Sequence, residues 1–225
     1  MWGKLLRALF QDPIKIPLFL LSKLYLIGLS LNRNVKIEGP IVMIGIPLID
    51  LREGGRLFIG KGVTLNSRNK GYHVNMHSPV KLYADRPGAE IRIGDKTRIN
   101  GACIHAYQSV VIGSRCLIGA NCQIFDGSGH DLGFPDVEER IHTEGSSRPI
   151  VIEDDVWIGA NSIILPGIRI GKGSVIGAGS VLIKNVPPMA VVRGNPGKVV
   201  LDYGKLTEDD ASLISGGAGG QDSPL

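Results

Sequence analysis

Five histidines, three cysteines and a set of scattered cations are the residues of this 225-residue chain that could do chemistry. An imidazole has an ordinary pKa of about 6.5, so near neutral pH it is mostly uncharged and still basic enough to take a proton. His73, His77, His105, His130 and His142 supply this group. Catalytic zinc would need three converging imidazoles and an open position, and no Cys pair has the CxxC spacing of a metal site. His130 is set apart by its surroundings. It follows Gly129 in a polar stretch, residues 125–149, that has none of the regularity found on either side. Long loops on rigid scaffolds tend to carry function. Gly127 and Gly129 are expected to let the backbone bend tightly just before His130.

The scaffold is most legible from Ile150 to Leu182. Cut at every sixth residue it reads Ile152-Glu-Asp-Asp-Val-Trp, Ile158-Gly-Ala-Asn-Ser-Ile, Ile164-Leu-Pro-Gly-Ile-Arg, Ile170-Gly-Lys-Gly-Ser-Val, Ile176-Gly-Ala-Gly-Ser-Val, Leu182. Every hexad opens on an aliphatic residue, and a small or β-branched one recurs four places later, at Val156, Ser162, Ile168, Ser174 and Ser180. Period six fits neither a helix face nor strand alternation. It fits one short strand per hexad followed by a corner, with three hexads, roughly 18 residues, closing one coil of a parallel β-solenoid. The aliphatic residues point into a dry core, and the Gly that often follows permits the backbone angles of the corner, where a Cβ would clash. Scarce aromatics suit a thin core of aliphatic residues.

The pattern begins irregularly at Val35, is clean from Leu57 to Leu65, and fades over residues 66–90, which read mostly as loop or distorted coil. It returns at Ile93, Ile99, Ile112, Ile118 and Ile124, stops for residues 125–149, and resumes at Ile150. Cys116 and Cys122 occupy the small-residue position, and Cys103 follows Ile99 at the same spacing. All three read as small core or corner residues in a reducing compartment. After Leu182, Pro187-Pro188 ends the strands, the segment leaves the solenoid, and a short helix is expected from about Lys198. The divisions are therefore residues 1–34, an apolar and basic helical arm; residues 35–193, the β-helix with its inserted loop 125–149; and residues 194–225, a C-terminal segment and mobile tail.

Charge separates the arm from the body. Up to Lys36 the chain holds six basic residues and one acid, Asp12, leaving 19 basic against 20 acidic residues for the remainder. The body has no electrostatic footprint for nucleic acid. In the arm, Trp2, Leu5, Leu6, Leu9 and Phe10 lie at helical spacing around Lys4 and Arg7, and Ile16 to Leu31 is almost wholly apolar. A bilayer span needs about 20 such residues, and a secretory signal would need a small-residue cleavage site. Two readings stay open: a helix packed on the solenoid or a neighbouring subunit, and an interfacial membrane anchor within residues 1–31. The expected location is the cytoplasm, with the inner face of the membrane as the variant the anchor would bring.

Four features in order carry a resemblance to the hexapeptide-repeat acyltransferases, in the branch of galactoside, maltose and surface-polysaccharide O-acetyltransferases: Gly129-His130, the block Asp155-Val-Trp-Ile-Gly159, Ile176-Gly-Ala-Gly-Ser180, and Pro187-Pro-x-x-Val-x-x-Gly-x-Pro196. That resemblance implies a left-handed β-helix, whereas the general rule for parallel crossovers favours the right hand. It implies a homotrimer with acetyl-CoA as acyl donor and no metal. It makes His130 the general base for direct attack of a sugar hydroxyl, with Asp126, Asp131 or a backbone carbonyl orienting the ring. The backbone of Ala160, which would also supply the oxyanion donor, and that of Ala178 would border the pantetheine arm. Ile183 and Lys184 would meet the adenine, and Lys198 its phosphates. Arg193 is a further phosphate candidate on chemical grounds. Asn100 lies near the acceptor-binding Asn of relatives, and His73, His77, His105 and Tyr107 could also face the acceptor groove. Trp157 is read as packing at a corner. The missing N-terminal segment of the small-sugar enzymes points to a surface-glycan, nucleotide-sugar or lipid-linked acceptor. The competing readings are an amino-sugar N-acetyltransferase, a zinc carbonic-anhydrase-like enzyme and a non-catalytic scaffold.

Overall fold

A computed structural model describes residue 12 and residues 14–206. Residues 1–11, 13 and 207–225, on which the helical spacing from Trp2 to Phe10 and the mobile tail were expected, lie outside the described residues. Among those described, twenty short strands, β1 to β20 in chain order, form three faces of a triangular solenoid. Sheet A stacks β1 (Val35–Ile37), β4 (Arg56–Ile59), β7 (Glu90–Ile93), β10 (Ser109–Ile112), β13 (Ile150–Ile152) and β16 (Arg169–Ile170). Sheet B stacks β2 (Val42–Ile44), β5 (Thr64–Asn66), β8 (Arg98–Asn100), β11 (Leu117–Ile118), β14 (Trp157–Ile158), β17 (Val175–Ile176), β19 (Ala190–Arg193) and β20 (Lys198–Asp202). Sheet C stacks β3 (Leu48–Leu51), β6 (Lys81–Ala84), β9 (Cys103–Ala106), β12 (Gln123–Phe125), β15 (Ile163–Ile164) and β18 (Val181–Leu182). Pairing is parallel throughout until β19 meets β20. This is the parallel β-helix that the repeats predict, with the left hand that the resemblance implies.

The hexads do what their spacing demands. Ile118, Ile158 and Ile176 stack in register inside sheet B, and Ile124, Ile164 and Leu182 inside sheet C, all buried. The small residues of the repeat, among them Cys116, Cys122, Ser162, Ser174 and Ser180, are buried at the corners. Burial pushes the thiols of Cys116 and Cys122 up to about 11, so neither is a nucleophile at neutral pH.

The glycine that follows the aliphatic residue has a different reason from the expected one. A Cβ on Gly159 would lie 2.5 Å from the backbone nitrogen of Ala178, in the next coil. What it supplies is close stacking of corners. The left-handed backbone angle falls two residues later, at Lys96, Arg115, Asn121, Asp155 and Asn161. The Arg115 guanidinium and the Asp155 carboxylate, on successive coils, form an ion pair with Nε 2.6 Å from Oδ1. Gly159→Ala is therefore expected to cost about 1–3 kcal/mol by overpacking. Gly28→Ala, in the arm helix with nothing within 4 Å of the new methyl, should gain about 0.5–1 kcal/mol. Thermal unfolding of the two variants checks the contrast.

Four further expectations are corrected. Within residues 66–90, Lys81–Ala84 is a regular strand with Leu82 and Ala84 inward, its alternation hidden in the sequence by Pro79 and Pro87. After Leu182 the chain does not leave the solenoid: β19 pairs with β17, adding a strand to sheet B. The helix expected from Lys198 is instead β20, antiparallel to β19, since Val199-Val200-Leu201 is strand-forming and Gly194, at φ +95°, lets the chain reverse. Cys103 is not at the corner. Gly101 (φ +48°) makes that turn one residue shorter, so Ala102 takes the buried position and Cys103 is partly exposed. The arm forms helix α1 (Lys15–Ser30), which packs Tyr25, Leu26 and Leu29 on the first coil, and its Ser22 hydroxyl lies 3.2 Å from the carbonyl oxygen of Gly45.

Candidate active site

A groove of about 750 Å³ runs along the outer face of sheet B. Its floor is a column of outward side chains in register, Leu117, Trp157, Val175 and Val191, with Arg98 below. Five strands at about 4.8 Å spacing make the column roughly 19 Å long. Trp157 is 47% exposed and Leu117 43%, so the groove is open and apolar. Gly119, Gly159, Ala160, Gly177 and Ala178 form its side along the corner between sheets B and C, and Arg193 stands near one end. Among the described residues no acceptor pairs with the backbone N–H of Ala160 or Ala178. Tyr72, His73 and Val74, from the loop before β6, close another side.

The inserted segment leaves at a different corner. It begins after β12 on sheet C and returns at β13 on sheet A, so its root lies opposite sheet B, and none of its residues lines the groove. Its root is Asp126, fully buried, whose carboxylate accepts hydrogen bonds from the backbone N–H groups of Tyr107, Gln108 and Ser109 at 2.6, 2.9 and 2.5 Å. The two arms run outward side by side through a bridge of Gly127 with Ser147 and the bond from Ser128 N–H to the Ser146 carbonyl, 3.1 Å. Neither Gly127 nor Gly129 has a positive φ. Gly127 is required by proximity, since a Cβ there would meet the Tyr107 ring at 2.6 Å. His130 lies on the exposed outer part of the loop, with Leu132, Phe134 and Ile141 beyond it, 68–74% exposed.

A family model described as bacterial transferase hexapeptide (six repeats) matches residues 149–184, and one for the hexapeptide repeat of succinyl-transferase matches residues 109–133. Over these residues the chain is similar to the hexapeptide-repeat acyltransferases. An acetyltransferase candidate of Saccharomyces cerevisiae is 41% identical over 129 residues, covering 57% of this chain and 62% of that protein. A 2,3,4,5-tetrahydropyridine-2,6-dicarboxylate N-acetyltransferase of Clostridium perfringens is 48% identical over 69 residues, 31% of this chain and 29% of its own. A hexapeptide-repeat-containing acetyltransferase of Vibrio cholerae, solved with acetyl coenzyme A, is 41% identical with a TM-score of 0.46, covering 50% of this chain and 60% of its own. The chain thus spans less than two thirds of the curated relatives it matches.

In this hexapeptide-repeat chain, the residues singled out from sequence divide into two groups. Asn100, Ala160, Ala178 and Arg193 come together in the groove. Asn100 is already engaged there: its amide donates to the Ile118 carbonyl at 3.0 Å, and its oxygen accepts from Asn66 at 3.3 Å. Ile183, Lys184 and Lys198 are exposed but do not line the groove of this chain, and His130 stands on the far loop. Trp157 does not pack at a corner: it is half-exposed on the groove floor. Neither acid proposed to orient His130 does so. Asp126 is spent on three backbone donors, and Asp131 accepts from the Leu132 N–H at 2.6 Å. His73 lines the groove beside Tyr72, ring centroids 4.4 Å apart. The floor residues Leu117, Val175 and Val191 were readable as apolar residues at outward positions, each one or two places from a buried aliphatic.

His105 and Tyr107 face elsewhere. On sheet C and the corner after it, Tyr83, His105 and Tyr107 stack with centroids 4.5 and 4.3 Å apart. Burial pulls the His105 pKa down, opposed by Asp85, whose Oδ2 lies 3.5 Å from Nε2 without forming a hydrogen bond. The hydrogen bond from the Tyr83 hydroxyl to Asp85 pushes that phenol up to about 12. A folded His pKa below the unfolded value of about 6.5 means the unfolded chain binds the proton first. The stability that neutral His105 provides is present above that value and lost as pH falls through it. Thermal unfolding between pH 7.5 and 5 should show a decline that His105→Gln reduces.

Proposed function

We propose that the chain is an acetyl-CoA-dependent acyltransferase that transfers an acetyl group to a sugar hydroxyl, working as a homotrimer with sites between subunits. The observation that carries this reading is the separation of its two halves. An open apolar groove with unpaired backbone N–H groups lies on sheet B, while the loop bearing His130 projects from the opposite corner with an exposed apolar tip. Neither half is a complete site. A three-fold arrangement with parallel solenoid axes would lay each loop against the groove of the next subunit and cover both apolar surfaces at once.

The chemistry then follows. The pantetheine arm lies along the Leu117–Trp157–Val175 column, with the Ala160 and Ala178 N–H groups offered to its amides and thioester. Arg193, beside the groove, suits an anionic phosphate end; Lys184 and Lys198 are the further cations for it. As the acceptor oxygen attacks the thioester carbon, His130 Nε2 or Nδ1 takes the hydroxyl proton. The Ala160 N–H stabilises the oxyanion. Collapse of the tetrahedral intermediate breaks the C–S bond, and the imidazolium returns its proton to the departing thiolate. Asn100 is the acceptor-side polar group of the groove.

The N-acetyltransferase among the relatives supports a second reading in which an amine is the acceptor, since the same base and oxyanion donor serve both. The basic, apolar arm favours a surface-glycan or lipid-linked sugar. Titration of CoA into wild type and Ala178→Trp, with acetyl-CoA consumption measured on hydroxyl and amino sugars, tests the proposal. Wild type is expected to bind CoA and Ala178→Trp to bind at least about tenfold more weakly, a loss of roughly 1.4 kcal/mol. Absence of CoA binding by wild type, or equal binding by both, would remove the groove as the donor site.

A further inference from the structure

We infer that the α1 end of the solenoid is a docking surface for an anionic lipid bilayer, on which the helix lies parallel to the membrane plane. Helix α1 has two apolar stripes. Ser22, Leu26 and Leu29, at helical spacing, face the first coil. Leu20, Leu24, Ile27 and Leu31, at the same spacing on another side, are 56, 65, 59 and 81% exposed. A helix that is apolar all round is ordinarily buried, and here one side is uncovered. The patch continues onto the solenoid. Phe19 and Val42 line one small cavity, and Val42, Ile44 and Leu48 are themselves exposed.

Charge chooses the occupant. From Pro13 to Ile37 the sequence has Lys15, Lys23, Arg33 and Lys36 and no acid, and residues 40–49 carry no charge at all. Asp12, just before, is ion-paired with Arg68 and Lys70. Lys36 is paired with Glu38 at 3.2 Å, while a second copy packed on this face would set Lys23 and Arg33, both exposed, against the same cations of its own. Anionic headgroups complement them, and acyl chains take the apolar stripe. The Lys23 ammonium lies 5.4 Å from the centroid of the Phe19 ring, a pairing suited to the headgroup boundary, where aromatic rings and cations concentrate. The helix lies on the bilayer instead of crossing it. Its 16 residues span about 24 Å, short of the roughly 30 Å hydrocarbon thickness, and no helix among the described residues is long and apolar enough to span. The inference stands without the trimer; parallel axes would place three such ends on one side and add avidity.

Flotation of the full chain with vesicles of phosphatidylcholine, alone or with about one quarter phosphatidylglycerol, tests it, with oligomeric mass followed by light scattering. Wild type should float with the anionic vesicles and at least about tenfold less with the neutral ones or at 0.5 M salt. Leu20→Glu with Leu24→Glu, both outside the core, should lose flotation at least about tenfold at unchanged mass and unfolding temperature. Lys23→Glu should weaken it without touching the apolar stripe. Failure of wild type to float with anionic vesicles, equal flotation with neutral ones, or a change of mass in the double variant with flotation retained would overturn the inference; the last would make the face a subunit contact.

Discussion

His130→Ala is expected to lower acetyl transfer by about 10²–10⁴-fold, the usual worth of a positioned base, while leaving CoA binding and thermal stability unchanged. The two halves of that expectation have separate grounds. His130 is exposed on the outer part of the inserted loop and outside the groove of its own chain, so its removal takes nothing from the groove floor or the core. A sugar hydroxyl attacks a thioester very slowly unless its proton leaves as the bond forms; His142, the other imidazole of the loop, is the control, and His142→Ala should leave turnover within a few-fold of wild type. Comparing CoA titration, thermal unfolding and turnover in the same preparation separates the two. Loss of CoA affinity together with turnover would mean that the residue acts in donor binding and not in proton transfer.

Asp126→Ala is expected to cost about 3–5 kcal/mol of stability and, with it, activity. The side chain is fully buried and accepts from three consecutive backbone N–H groups of residues 107–109. Deleting it leaves those donors unsatisfied, at roughly 1–3 kcal/mol each before relaxation or entry of water. For a chain of this size that lowers the unfolding temperature by roughly 10 °C. Asp126 also holds the Arg148 N–H through its own carbonyl at 2.6 Å, so it ties both roots of the insertion to the corner beneath. Asp126→Asn keeps the shape and one acceptor oxygen and should fall between wild type and Asp126→Ala. Scanning calorimetry of the three proteins, beside turnover at a temperature where all remain folded, checks the order.

Much of the fold was legible because one residue in six must enter a thin dry core. Ile118, Ile158 and Ile176 announce their own stacking, and the loss of that beat at Phe125 announces the loop. The same logic failed where the beat is masked. Leu82 and Ala84 alternate correctly, but prolines flank them, and Gly101 removes one residue from a corner, so spacing from Ile99 misplaces Cys103 and blurs the position of Asn100. The strand Lys198–Asp202 was missed because a solenoid cap follows no period. Glycine carried two meanings that sequence merges: Gly159 is small because the next coil lies on it, whereas Asn161 carries the left-handed angle. The candidate site was half legible. The four motifs named His130 and the small residues beside the groove, but in the proposed trimer the loop reaches the groove of a neighbouring chain, and no spacing within one chain reveals that.

The central claim is that one subunit supplies the base and the next supplies the groove, and subunit complementation measures it most directly. His130→Ala keeps an intact groove and lacks the base; Ala178→Trp keeps the base and fills the groove. Each variant alone is expected to be inactive. Unfolded together at equal amounts and refolded, they should regain activity. In randomly assembled three-fold rings about one quarter of the interfaces pair an intact loop with an intact groove, so a site shared between subunits predicts recovery near one quarter of the wild-type rate. A mixture as inactive as its two components, with mixed trimers demonstrated by mass, would place base and groove within one chain and contradict it.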